Sequence, residues 1–154
     1  MPFWIPQLLY DDMVAEATKW APLETGGVLM GYVSDSKDVV VTALVHAGPN
    51  AKRTRWNFRP DPQFQNEGIA EQYAASVRHD RYLGDWHTHP GGSENMSWRD
   101  RRTLQSIAEC GDARIENPVM VILYGEDWKP AAWQFSRKTI LAHAPCTPLR
   151  PVIV

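Results

Sequence analysis

Residues 81–100 read RYLGDWHTHPGGSENMSWRD. Arg81 to His89 predicts a short strand, ended by Pro90 and the glycine-rich Gly91-Gly92-Ser93 loop. Side chains alternate between the two faces of a strand, so His87 and His89 project from the same face. Two imidazoles at a strand end make two corners of a metal site. Catalytic zinc usually takes three protein ligands and leaves a fourth position to water. Ser97 stands where a helix N-cap belongs, which puts Asp100 in the first turn of a helix over 97–110, one loop away from the histidines. Read alone, Ser97-x-x-Asp100 is a capping pattern. Joined to His87-x-His89 through a seven-residue spacer, it completes a candidate ligand set of His87, His89 and Asp100.

Upstream, residues 8–20 predict a helix that places Leu8, Leu9, Met13, Ala17 and Trp20 near one face, with Asp11 and Asp12 in its first turn and Pro22 beyond its end. Glu24 to Val33 reads as a buried strand whose glycines mark close backbone approach or a bulge. Asp38 to His46 reads as its hairpin partner across the Ser34–Lys37 turn. Residues 47–62 are polar and punctuated by Pro and Gly, the pattern of a long loop or insertion, and a helix from about Asp61 to Arg78 follows, with Ile69, Tyr73, Ala74 and Val77 on one face. Downstream, Val119–Tyr124 and Ala131–Ser136 predict two more strands joined through Gly125-Glu126-Asp127, and 142–154 form an extended, proline-bearing tail. This order predicts one α/β domain over residues 1–154, a single mixed β-sheet with helices on its faces.

A length of 154 residues is that of one domain with a real core. Sixteen basic against eighteen acidic residues leave a net charge of −2, which supplies no strong field for nucleic acid or anionic lipid. Apolar runs are too short for a membrane span, and Met1–Pro6 lacks the basic start of a signal peptide. A cytoplasmic protein with reduced thiols is the expectation, because Cys110 and Cys146 supply neither a disulfide framework nor a four-thiolate zinc site. Cys110 is read as core inside its helix, and most of the seven tryptophans as core or groove-lining. His-Glu-x-x-His, a deaminase Pro-Cys-x-x-Cys, a nucleophile elbow and a Walker A run are all absent from the sequence.

His87-Thr88-His89-Pro90, the spacer and Ser97-x-x-Asp100 resemble the JAMM (MPN-plus) metalloprotease signature. Glu24, ahead of Thr25-Gly26-Gly27-Val28-Leu29-Met30-Gly31, matches the glutamate that the family carries upstream. The resemblance covers residues from about 22 to 126 and looks like the stand-alone prokaryotic branch of the family. It implies the MPN/JAB fold, with a cytidine-deaminase-like architecture, and zinc held by His87, His89 and Asp100. In this reading Glu24 takes a proton from the zinc-bound water and later delivers one to the leaving amine. Ser97 donates a hydrogen bond to the oxyanion or orients the water.

The implied reaction is hydrolysis of the isopeptide or peptide bond after the C-terminal tail of a ubiquitin-like protein. The implied setting is a bacterial anti-phage conjugation system with activating-like and conjugating-like partner enzymes. Residues 50–60 interleave four cations with two aromatics where the family carries a partner-binding insertion, so Arg53, Arg55 and Trp56 are the candidate contacts to the ubiquitin-like protein. Two alternatives remain open on sequence. One is a zinc peptidase acting on a sulfur-carrier protein or small peptide, and the other is a noncatalytic MPN scaffold.

Overall fold

In the computed structural model, which describes residues 1–136 and 146–154, three α-helices are interspersed among nine strands of the described residues. They run β1 (Pro2–Ile5), α1 (Gln7–Trp20), β2 (Gly26–Val33), β3 (Val39–His46), β4 (Lys52–Arg53), β5 (Phe58–Arg59), α2 (Pro62–Ala75), β6 (Arg81–Pro90), α3 (Trp98–Glu109), β7 (Val119–Gly125), β8 (Lys129–Phe135) and β9 (Cys146–Ile153). Seven strands pair in the order β1-β3-β2-β6-β7-β8-β9, and β9 returns to pair with β1. The sheet is mixed: β6 runs parallel to β7, β1 runs parallel to both β3 and β9, and the other pairs are antiparallel.

The mixed α/β character agrees with the sequence, but the single mixed sheet expected with helices on its faces is corrected to a sheet closed into a barrel. Closure depends on the two ends of the chain. Residues 146–149 of β9 pair with β8, while 150–153 pair with β1, so each half keeps one unpaired side. An edge of that kind tolerates the missing N–H of Pro148 and Pro151. The 142–154 tail is therefore extended over Cys146–Ile153 as a strand of the barrel, and residues 142–145 lie outside the described residues.

Double-sided burial explains the long apolar runs. In β7, Val119, Val121 and Leu123 join an inner cluster with Phe3, Ile5, Leu29 and Trp86, while Met120 and Ile122 turn outward beneath Leu104 and Ala108 of α3. β2 divides in the same way, with Leu29 inward and Val28 and Met30 outward beside Ile69 of α2. A strand covered on both faces reads as a continuous apolar run. α1 contributes Met13 and Ala17 to the inner cluster, whereas Leu8, expected on the same face, is 82% exposed.

Other expectations shift locally. The 47–62 loop contains the two-stranded β4–β5 hairpin, and Asp61 caps α2 by accepting from the Phe64 amide at 3.2 Å, with Pro62 at the first helical position. α2 stops at Ala75 rather than at Arg78, because Val77 and Arg78 take left-handed conformations (φ 55° and 64°); Val77 and Ala74 are exposed instead of packed. Cys110 is the exposed C-cap of α3, not core, and Cys146 is buried. Of the tryptophans, Trp86 is fully buried, Trp56 and Trp98 are exposed, and the rest are half-buried.

One irregularity aims the site. Leu29 pairs with Gly84 but Met30 with Tyr82, so β6 bulges at Leu83. Leu83 and Trp86, three residues apart, consequently both face inward. A regular strand that kept Leu83 inside would carry Asp85, His87 and His89 inside with it. The bulge turns them to the outer face, where His87 lies beside Ile122 and α3. Gly84 permits this: its φ is +148°, and a Cβ there would stand 1.9 Å from the Val119 carbonyl oxygen.

Candidate metal centre

His87 and His89, at the end of β6, meet Asp100 from the first turn of α3. Nε2 of His87 lies 2.9 Å from Nε2 of His89 and 3.2 Å from Oδ1 of Asp100, and Nε2 of His89 lies 3.5 Å from Oδ2 of Asp100. Among the described residues, this is the group of three donors that converges within 4.8 Å. Four-coordinate zinc, with ligand bonds of about 2.0–2.1 Å, would separate its ligand atoms by about 3.3 Å in a tetrahedron. The observed spacings bracket that value, and two imidazoles with one carboxylate form a recognised donor set, so the residues fit a divalent metal.

The surrounding groups hold these donors in place. Nδ1 of His89 lies 2.9 Å from the Ser93 carbonyl oxygen. A carbonyl only accepts, so Nδ1 carries a hydrogen and Nε2 is the nitrogen turned to the cluster, where it donates to Asp100 when protonated and is free to ligate when it is not. The loop that supplies Ser93 is pinned by Met96, buried among the residues under α3, and by the Trp133 indole, which donates to the Glu94 carbonyl at 3.1 Å. Ser97 and Asp100 form a reciprocal capping box: the Asp100 amide donates to Oγ of Ser97 at 3.1 Å, and the Ser97 amide donates to Oδ2 of Asp100 at 2.7 Å. One rotamer of Asp100 thus closes the capping box and also faces the two histidines.

Charge follows the geometry. Burial would raise the pKa of Asp100, but hydrogen bonds from His87, His89 and the Ser97 amide outweigh it and hold the carboxyl well below the usual range. Burial opposes a charge on His89, yet its contacts with Asp100 and the Ser93 carbonyl raise its pKa. Glu24, half-buried just before β2, is raised by burial, which exceeds the opposing pull of His87, His89 and Arg99. It therefore sits within the electrostatic reach of the cluster without being one of its three donors.

The accessory residues divide. Arg53 does not reach into solvent: its guanidinium lies 3.8 Å from the Trp20 ring centroid, and its Nε–H donates to Oγ1 of Thr25 at 3.0 Å. Arg55 and Trp56 are exposed at the tip of the β4–β5 hairpin, Trp56 by 83%. Thr25, Thr88 and Ser93 were not singled out by the sequence reading. The position of Thr88 between two candidate ligands was the available signal, whereas the Ser93 contact is made by backbone and carries no side-chain signature.

The family model described as prokaryotic homologs of the JAB domain matches residues 6–137. A protein named probable metalloprotease y4qB from Sinorhizobium fredii is 43% identical over 143 residues, covering 90% of this chain and 87% of that protein. Two proteins named CD-NTase/cGAS isopeptidase, from Enterobacter hormaechei and Pseudomonas aeruginosa, are 32% and 34% identical over 75% and 68% of this chain. The chain spans only 63% and 64% of the length of those two. The solution structure of a Desulfitobacterium hafniense protein shares the fold at a TM-score of 0.72 and 18% identity, covering 100% of this chain and 93% of that one. A 43% identical relative and a family model that matches residues 6–137, the stretch containing His87, His89 and Asp100, leave one assignment: the chain belongs to the prokaryotic JAB/JAMM family.

Proposed function

We propose that the protein is a zinc-dependent isopeptidase that cleaves the bond after the C-terminal tail of a ubiquitin-like protein. The observation that carries this reading is the convergence of His87, His89 and Asp100 beside the half-buried Glu24. A divalent ion held by those three side chains supplies Lewis acidity toward a water and toward the scissile carbonyl. Glu24 accepts the proton of the attacking water and returns one to the leaving amine, a task suited to a carboxyl whose pKa burial has raised. Oγ of Ser97 accepts from the Asp100 amide, which leaves its own hydrogen free to donate to the oxyanion.

The isopeptidase names of two relatives support an isopeptide bond as the target, with a CD-NTase/cGAS conjugate as the client. Arg55 and Trp56, exposed on the hairpin, are the contacts for the ubiquitin-like partner, and Arg53 serves to hold that hairpin in place. Residues 1–154 act as one peptidase unit in this reading.

Metal analysis combined with a substrate trap tests it. His87→Ala and Asp100→Ala are expected to lose both zinc and hydrolysis, whereas Glu24→Ala keeps zinc and loses hydrolysis. Zinc loss in Glu24→Ala would make Glu24 a ligand rather than the base. Zinc-loaded Glu24→Ala, used as bait in host lysate, is expected to capture a ubiquitin-like protein or its conjugates. Capture no greater than that of the His87→Ala control would turn the reading toward a sulfur-carrier or small-peptide substrate.

A further inference from the structure

We propose that Thr88 and Thr25 form a positioning pair that sets Glu24 against the metal ligands, with Arg53 as its outer brace. The inference rests on the reading of Glu24 as the proton-transfer group. The regular ladder between β2 and β6 begins at Gly26 opposite His87, so Glu24 and Thr25 lie beyond its last rung. A single residue of β6 takes over there. The Thr88 amide donates to the Thr25 carbonyl at 2.9 Å, and the Thr25 amide donates to Oγ1 of Thr88 at 3.0 Å. Both threonines are fully buried, so without that hydroxyl the Thr25 amide has no water to turn to.

Thr88 lies between the two histidines, and its side chain takes the opposite face of β6 from theirs. It can therefore grip the Glu24–Thr25 segment without entering the ligand cluster. The other side of the segment is held by the hairpin. The Glu24 amide donates to the Thr54 carbonyl at 2.8 Å, and Arg53, stacked on Trp20, donates to Oγ1 of Thr25. The Glu24 backbone is thus fixed to the histidine strand on one side and to the β4–β5 hairpin on the other.

The test uses the full chain, zinc-loaded, with three readouts. These are amide hydrogen exchange at Thr25, zinc affinity by competition with a chelating dye, and kcat and KM on a fluorogenic peptide ending in Gly-Gly-aminomethylcoumarin. Thr88→Val removes the acceptor at nearly constant shape, and Thr88→Ser keeps it. Thr88→Val is expected to speed Thr25 exchange and to lower kcat, each by about tenfold, the equivalent of one hydrogen bond, with KM and zinc affinity held. Thr88→Ser is expected to behave as the wild type.

Unchanged exchange, zinc affinity that falls in step with kcat, or a Thr88→Ser protein as impaired as Thr88→Val would each overturn the proposal. If Thr88→Val does not fold, Arg53→Gln replaces it: lower kcat at constant zinc affinity supports the brace, and unchanged kcat removes it. A wild type that leaves the peptide intact, or a Glu24→Gln protein that still cleaves it, counts against the peptidase reading instead. Thr25 exchange then decides the positioning pair alone.

Discussion

Asp100 carries two jobs that a pair of substitutions can separate. Its Oδ2 accepts from the Ser97 amide at 2.7 Å, which closes the α3 capping box, and its two oxygens face His87 and His89 at 3.2 and 3.5 Å. Asp100→Ala removes both functions. Loss of the bond to the Ser97 amide costs about 1 kcal/mol, and in a chain of this size each kcal/mol moves the melting point by about 2–4 °C. In chelator-stripped protein the melting point is therefore expected to fall by at least about 2–4 °C, with the lost pairing of the carboxylate with the two histidines added to it. Zinc at about a hundred times its dissociation constant stabilises a folded binder by about 2.7 kcal/mol, which predicts a rise of about 5–11 °C for the wild type. Asp100→Ala should forfeit most of that rise.

Asp100→Asn keeps an oxygen for the Ser97 amide but gives up the anionic ligand. Its metal-free melting point should fall by less than that of Asp100→Ala, since the bond to the Ser97 amide is kept and only the charge facing the histidines is lost, while its zinc response shrinks as in Asp100→Ala. Thermal denaturation of the three proteins, with and without zinc, gives the comparison. A full zinc response in either variant would refute Asp100 as a ligand. A metal-free loss in Asp100→Asn as large as that in Asp100→Ala would refute the separation of the cap from the charge.

Two further outcomes follow from groups outside the centre. Asp80 is buried; burial alone would raise its pKa, but hydrogen bonds from Thr42 at 2.6 Å and Gln72 at 2.8 Å, together with His79, bring it below its ordinary value. A carboxyl depressed in the folded state adds stability above its unfolded pKa and loses it as pH falls through the folded one. Asp80→Asn should therefore cost about 1–3 kcal/mol in urea denaturation at neutral pH, and the gap should narrow toward about pH 3; a constant gap would mean that the charge plays no part. Cys110 is exposed and Cys146 buried, so a thiol reagent should label one of the two cysteines in the native protein and both in denaturant. Native labelling of neither would contradict the exposed placement of Cys110 at the end of α3, and labelling of both would contradict the burial of Cys146.

Much of the centre was legible in the sequence because its information is local. The two-residue spacing of His87 and His89 on a strand and the cap position of Ser97 with Asp100 three residues on both arise within one or two turns of chain. Amphipathic spacing likewise found the core of α1, since Met13 and Ala17 repeat at a helical interval. Local pattern failed where packing partners or backbone irregularities decide. Leu8 continues the α1 spacing but faces solvent, Val77 lies past a helix end set by two left-handed residues, and Cys110 lies just beyond the last turn of α3.

The sequence alone marked which side chains meet at the candidate centre and which elements carry them, because residue type and short-range periodicity are properties of a few consecutive positions. Tertiary structure alone decided the closure of the sheet, through a four-residue β1 and a proline-bearing β9 that have no strand identity until they find each other. It also decided the direction in which the histidines point. Alternation places His87 and His89 on one face but cannot say which, and the bulge at Leu83, made possible by Gly84, is fixed by the pairing of β6 with β2 and by its close approach to β7. Register between strands distant in sequence is set by the interior they jointly fill, and no single segment contains that information.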